Sequence, residues 1–191
     1  MKNAIILHGI EDNVADYHAL PVTPAGLGWY PKIAGELSRR GVSTHVPDMP
    51  KPYIPDMDYN QWVTTIAPLS IGTQTILIGH SCGAGFWLKY LSVNPQIHVG
   101  QLILVAPWTD VEQAHPTFFA NWTIDKTLPE RCGRIDVFYS GLDDESILQT
   151  VDTIRTAFGQ RAHYYQMDDK GHFNWGLIGD NFPEILDVIV P

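Results

Sequence analysis

Short apolar runs alternate with longer amphipathic stretches along the chain. Ile5-Ile6-Leu7, Ile76-Leu77-Ile78 and Leu102-Ile103-Leu104-Val105 are continuous rather than alternating with polar residues. Runs of that kind suit strands covered on both faces, as in a parallel sheet. Strands are expected over 4–7, 43–46, 75–78, 102–105, 135–139 and 163–167. Between them, apolar residues at helical spacing predict helices over 29–40, 58–69, 81–93 and 145–158, with a last helix over 182–190. Tyr30, Ile33, Ala34 and Leu37 form one stripe, which Gly41 ends; Ile147, Leu148, Val151, Ile154 and Phe158 form another. Strands alternating with helices imply right-handed βαβ units, and so an α/β fold with about six mostly parallel strands and helices on both faces.

Two stretches lack a period. Pro47, Pro50, Pro52 and Pro55 make 46–55 an extended loop, and 108–133, with Pro116 and Pro129, is an irregular loop with one short helix, carrying Phe118, Phe119 and Trp122. The expected organisation is one domain over 1–191 with a short irregular insertion over 109–133 near the active site, and no repeat or linker.

Composition narrows the function classes. Apolar residues make up 45% and charged residues 17%, an ordinary globular balance. The net charge of −9 disfavours nucleic acid and anionic membranes as partners. The apolar run at the N-terminus stops at His8-Gly9, short of the roughly 7–15 residues of a secretory signal. Nor does any run approach the roughly 18 residues of a membrane span. A cytoplasmic location is expected, and Asn121-Trp122-Thr123 is then an accidental glycosylation match. Cys82 and Cys132 fit neither a disulfide framework nor a metal knuckle. The eight histidines show no ligand spacing, so no metal or other cofactor is expected.

The chemistry concentrates in Gly79-His80-Ser81-Cys82-Gly83, a G-x-S-x-G match between a strand run and a helical pattern. That setting is a nucleophile turn: flanking glycines permit close backbone approach, and the serine hydroxyl is lifted above the sheet. His80 adjoins the serine, and its side chain is expected to point away from the hydroxyl. An acyl-transfer site also needs two backbone donors for the oxyanion. Cys82 follows the nucleophile and Ile10 follows His8-Gly9 at the end of the first strand, so these two N–H groups are the candidates. His8 is expected to order that loop.

The base should follow the last strand, and His172 stands there in the turn Asp168-Asp169-Lys170-Gly171-His172-Phe173. His98, His115 and His163 are less well placed. The acid should follow an intermediate strand, where Asp143 and Asp144 adjoin; Asp110 is a third option. One of the pair is expected to cap the helix near Glu145. Trp108, Phe173 and Trp175 are the candidate substrate-binding aromatics, although Trp29, Phe118, Phe119 and Trp122 also fall near the same edge.

Taken together, His8-Gly9, the proline-rich loop leading to Trp62, Gly79–Gly83, Leu142-Asp143-Asp144 and Gly171-His172-Phe173 resemble the small α/β-hydrolases of the retinoblastoma-binding protein 9 family of serine hydrolases. The resemblance implies a compact α/β-hydrolase core without a large lid. It also implies a Ser81–His172–Asp144 triad, since that family's acid matches the second aspartate of the pair. The proline that follows the acid in that family is absent here, and 14–28 is a longer loop than the family suggests. The expected activity is hydrolysis of a small carboxylic ester or thioester through an acyl-enzyme, carboxylesterase-type, with the small ester as the partner molecule. The competing expectation is a non-catalytic hydrolase fold used as a binding module. A flavodoxin-like phosphate-binding domain shares the architecture, but the acidic Glu11-Asp12 pair after the first strand suits an anion poorly.

Overall fold

The computed structural model describes residues 2–113 and 116–189. His115 lies outside the described residues. Six strands form one sheet: β1 (Asn3–Leu7), β2 (Ser43–His45), β3 (Thr75–His80), β4 (Gln101–Val105), β5 (Ile135–Tyr139) and β6 (His163–Gln166). Their order is β2-β1-β3-β4-β5-β6, and every pairing is parallel.

Continuous apolar strands give the sheet two faces. Ile5, Leu7, Leu77, Leu102, Leu104, Ile135 and Val137 pack into one buried cluster, together with Trp62, Ile66, Phe86, Leu88, Val151 and Ile154. Ala4, Ile6, Ile76, Ile78, Ile103, Val105 and Phe138 pack into the other, with Trp29, Ile33, Leu37, Phe173, Phe182 and Ile185. The two-residue alternation along each strand decides which cluster a side chain joins. Helices α3 (Tyr59–Ile66), α4 (Cys82–Val93) and most of α7 (Glu145–Phe158) cover the first face. Helix α2 (Trp29–Arg39) and the C-terminal segment cover the second.

The helical pattern over 145–158 matches α7 end to end, and Asp58 caps α3 by accepting from the Gln61 N–H at 2.9 Å. Two stretches differ from expectation. A short helix, α1 (Val14–Ala19), forms within 14–28, where a loop is expected; it buries none of its residues and is held by the Asn13 side chain, which accepts from the Ala15 and Asp16 N–H groups. Instead of a helix over 182–190, the described residues form only a 3₁₀ turn, at Pro183–Leu186. Phe182, Ile185 and Val188 are buried, and their spacing of three suits 3₁₀ geometry rather than an α-helix. Val190 lies outside the described residues.

The irregular segment after β4 contains α5 (Pro116–Phe119) and α6 (Leu128–Arg131). Phe118 is fully buried against Trp62 and Phe86. Lys89 ties the segment down, donating from Nζ to the Phe118 and Ala120 carbonyls at 2.7 and 3.2 Å. Glu11 and Tyr53 pair as an isolated bridge, which anchors the proline-rich loop to the chain after β1. Helix α8 (Trp175–Ile178) follows the last strand, capped by the Asn174 side chain. Among the described residues no helix is long and apolar enough to cross a membrane.

Candidate active site

β3 ends at His80, and α4 begins at Cys82. Ser81 between them has φ +53, the left-handed region that a non-glycine residue enters at a cost. The flanking glycines make the turn possible. A Cβ at Gly79 would lie 2.6 Å from the Ala84 backbone, and one at Gly83 would lie 2.5 Å from the His8 carbonyl oxygen. The Ser81 N–H donates to the Val105 carbonyl at 2.9 Å, while the Ser81 carbonyl accepts from Ala84, Gly85 and Trp108. Backbone bonding thus holds the serine in place, and its side chain faces the cavity.

His172 follows β6, and its Nε2 stands 3.1 Å from Ser81 Oγ. Its Nδ1 lies 2.9 and 3.0 Å from the two carboxylate oxygens of Asp143. A carboxylate can only accept, so Nδ1 carries the proton and Nε2 is left to accept from the serine. The Asp143 side chain is 2% exposed and also accepts from the Asp144 N–H at 2.8 Å.

The expectation of Asp144 as the partner of His172 is therefore corrected to Asp143. Asp144 is the N-cap of α7, where its carbonyl accepts from the Ile147 and Leu148 N–H groups; its exposed side chain makes no cap bond, and the residue lines the cavity. Occupying the cap position commits the Asp144 backbone to the helix. Asp110 is buried after β4, close enough to Cys82 to add to the effect of burial in pushing that thiol well up.

Gly9 packs against Ser81: a Cβ there would lie 3.1 Å from the Ser81 Cβ. His8 is buried and accepts the Met49 N–H on Nε2 at 3.0 Å. Its Nδ1–H consequently donates to the Gly9 carbonyl at 2.7 Å. Burial holds the His8 pKa below its ordinary value, so the ring is neutral. Because the peptide is planar and trans, fixing the Gly9 carbonyl turns the Ile10 N–H in the opposite direction. Cys82 is the first residue of α4, where a backbone N–H has no partner within its own helix.

His80 makes contacts around His172 that the sequence did not reveal. Its ring lies between Tyr30 and the His172 loop, with Nδ1 2.7 Å from the Tyr30 hydroxyl and Nε2 2.7 Å from the His172 carbonyl oxygen. Burial, reinforced by the neighbouring His172, pushes its pKa down to about 3. Trp29 also reaches the His172 loop, donating from Nε1 to the Phe173 carbonyl at 3.0 Å. Nothing in the pattern of Trp29 and Tyr30 separates these roles from core packing.

A cavity of about 550 Å³ opens over Ser81 and His172. Trp108 and Trp175 line it, with Leu27, Trp29 and Ile54. Phe173 borders it, but its ring is fully buried and packs against Phe182 with centroids 5.1 Å apart. The expectation that Phe173 contacts substrate is corrected accordingly: its left-handed φ of +58 turns the ring into the core. Glu11, Asp12 and Asp144 bring three carboxylates to the wall, and no lysine or arginine is among its described residues.

The fold has well-matched relatives of known structure. The product of the ydeN gene of B. subtilis superposes with a TM-score of 0.79 at 20% identity, over 98% of this chain and 96% of that one. A protein described as a YdeN-like hydrolase from Pectobacterium atrosepticum matches with a TM-score of 0.56 at 21% identity, covering 92% and 82%. An alpha-beta serine hydrolase homologue from Coxiella burnetii matches with a TM-score of 0.56 at 18% identity, covering 90% and 77%. These likenesses identify the α/β-hydrolase fold. No curated protein matches the sequence. The serine hydrolase family model matches residues 28–189, which include Ser81, Asp143 and His172, and the chain belongs to that family.

Proposed function

We propose that the protein is a carboxylesterase-type hydrolase that cleaves a small ester or thioester through Ser81, His172 and Asp143. The observation that carries this reading is the continuous line from the Ser81 hydroxyl through the imidazole to a buried carboxylate. Ser81 attacks the carbonyl carbon while His172 Nε2 takes its proton. Asp143 keeps the proton on Nδ1 and stabilises the imidazolium. The N–H groups of Ile10 and Cys82 receive the negative charge on the tetrahedral oxygen, assisted by the N-terminal end of α4. His172 then gives its proton to the departing alcohol or thiol, and water repeats the sequence to free the acid. These steps need only groups of the chain and water.

The cavity suits a compact acyl group against Trp108 and Trp175, and its carboxylates disfavour an anionic substrate. Neutral p-nitrophenyl acetate should be cleaved with a kcat/KM about tenfold above that of a p-nitrophenyl ester carrying a free carboxylate at the same chain length. The resemblance to the retinoblastoma-binding protein 9 family supports the same chemistry, with the acid one residue earlier in the chain. The deciding experiment is labelling with a fluorophosphonate. We expect modification at Ser81 and none in Ser81→Ala, with kcat falling about 10⁴-fold or more in that variant. An unlabelled wild-type serine in a folded protein would favour the binding-module reading instead.

A further inference from the structure

We propose that His80 is a positioning residue, clamping the main chain of the base loop to the nucleophile strand through its Nε2–H bond to the His172 carbonyl. The inference rests on the triad reading above. It concerns how the base is held rather than which groups react.

The chemistry of the partners fixes the ring's state. A carbonyl oxygen can only accept, so the 2.7 Å contact requires the proton on Nε2. The opposite nitrogen then has a lone pair, and the buried Tyr30 hydroxyl donates to it at 2.7 Å. Burial pushes the Tyr30 phenol well up, with the Gly9 backbone working the other way, so the hydroxyl keeps its proton. Tyr30 thereby selects the tautomer of His80 that can hold His172. Burial and the nearby His172 both keep His80 neutral, so it can accept from Tyr30 while His172 becomes an imidazolium.

The clamped segment needs holding. Gly171 and Phe173 have φ +52 and +58, so His172 sits between two residues in the left-handed region, one of them not a glycine. Such a backbone persists only where its surroundings determine it. Here two successive carbonyls, His172 and Phe173, each receive an N–H from an aromatic ring, His80 and Trp29. The Trp29 bond and the buried Phe173 ring fix the far side of the loop. His80 fixes the carbonyl of the base itself and does so from the residue next to the nucleophile. Strand β3 thus sets both ends of the 3.1 Å contact between Ser81 and His172.

A core-filling role and a positioning role predict different results. His80→Phe keeps an aromatic ring and removes the donor. His80→Gln places an amide N–H near the position of Nε2. Tyr30→Phe keeps the shape and removes the hydroxyl that selects the tautomer. With p-nitrophenyl acetate, His80→Phe should lower kcat by about 10–100-fold with KM changed less than about threefold, because small misplacements of a reacting group act on the transition state. His80→Gln should recover most of that loss, and Tyr30→Phe should fall between. Equal kcat in wild type and His80→Phe, a loss confined to KM, or a Gln variant no better than Phe overturns the role. Should His80→Phe not fold, nitrogen–proton NMR of the wild-type imidazoles decides: His80 must carry its proton on Nε2 from about pH 5 to pH 9, and a proton on Nδ1 overturns the clamp. Fluorophosphonate labelling in the same series separates the two readings. A wild type unlabelled at Ser81 overturns the triad and the clamp together, whereas equal labelling rates in wild type and His80→Phe overturn the clamp alone.

Discussion

The two halves of the proposed catalytic arrangement are built differently. The nucleophile half is one strand, one turn and one helix, contiguous in the chain and buried throughout from Thr75 to Lys89. The acid–base half draws on two turns nearly thirty residues apart, with Leu142 78% exposed beside the acid and Trp175 47% exposed beyond the base. In the first half, close packing and backbone hydrogen bonds fix the geometry. In the second, a few hydrogen bonds fix it. The first should therefore fail through packing and the second through the loss of single polar atoms.

The largest test of that contrast is the acid. Asp143→Asn should lower kcat about 10³–10⁴-fold, since the amide no longer enforces the productive tautomer of His172. Asp144→Asn should change it less than about threefold. Steady-state kinetics on the two variants decides the matter, and equal losses would erase the distinction between buried partner and helix cap. On the other side, Gly83→Ala should destabilise the protein by about 3 kcal/mol or more, because its Cβ meets the Leu7 and His8 carbonyls and not a flexible side chain. Denaturant unfolding measures it, and a loss below about 1 kcal/mol would mean the turn relaxes.

A subtler test is pH. His80 has its pKa lowered from 6.5 to about 3 in the folded protein. Between those values the unfolded chain binds a proton that the native one does not, so stability falls as pH drops from about 6.5 towards 3. His8 adds to the slope in the same direction. The melting temperature of His80→Gln should consequently depend less on pH than that of wild type across this window. An unchanged slope would show that His80 does not resist protonation. Smallest of all, Leu142→Ala should shift stability by less than about 0.5 kcal/mol despite sitting beside the acid, because the leucine is exposed.

The same contrast governs what was legible in the sequence. Ser81 could be read because glycine spacing reports steric demand directly, and the strand and helix around it have strong periods. His172 could be read because it stands alone in a polar turn after a strand. Asp143 against Asp144 could not: the two are chemically alike, and the choice depends on which one α7 takes as its N-cap. The helix boundaries followed apolar stripes, as at Glu145–Phe158. They failed at Val14–Ala19, which a single capping side chain holds without a buried face, and at the C-terminus, where residues spaced by three fit a 3₁₀ turn. The bonds of Trp29, Tyr30 and His80 were hidden because a buried ring with one polar atom has the same pattern as a ring with none.

The strand order has a consequence for where chemistry can arise at all. From β1 the chain steps outward to β2, then returns past β1 to β3 and continues the other way. With crossovers of one hand, a reversal of travel sends the helix after β1 and the helix after β3 to opposite sides of the sheet. They part at the carboxyl ends of those two strands, where His8-Gly9 and Ser81 emerge. The crevice is thus a property of the winding, present before any side chain is chosen.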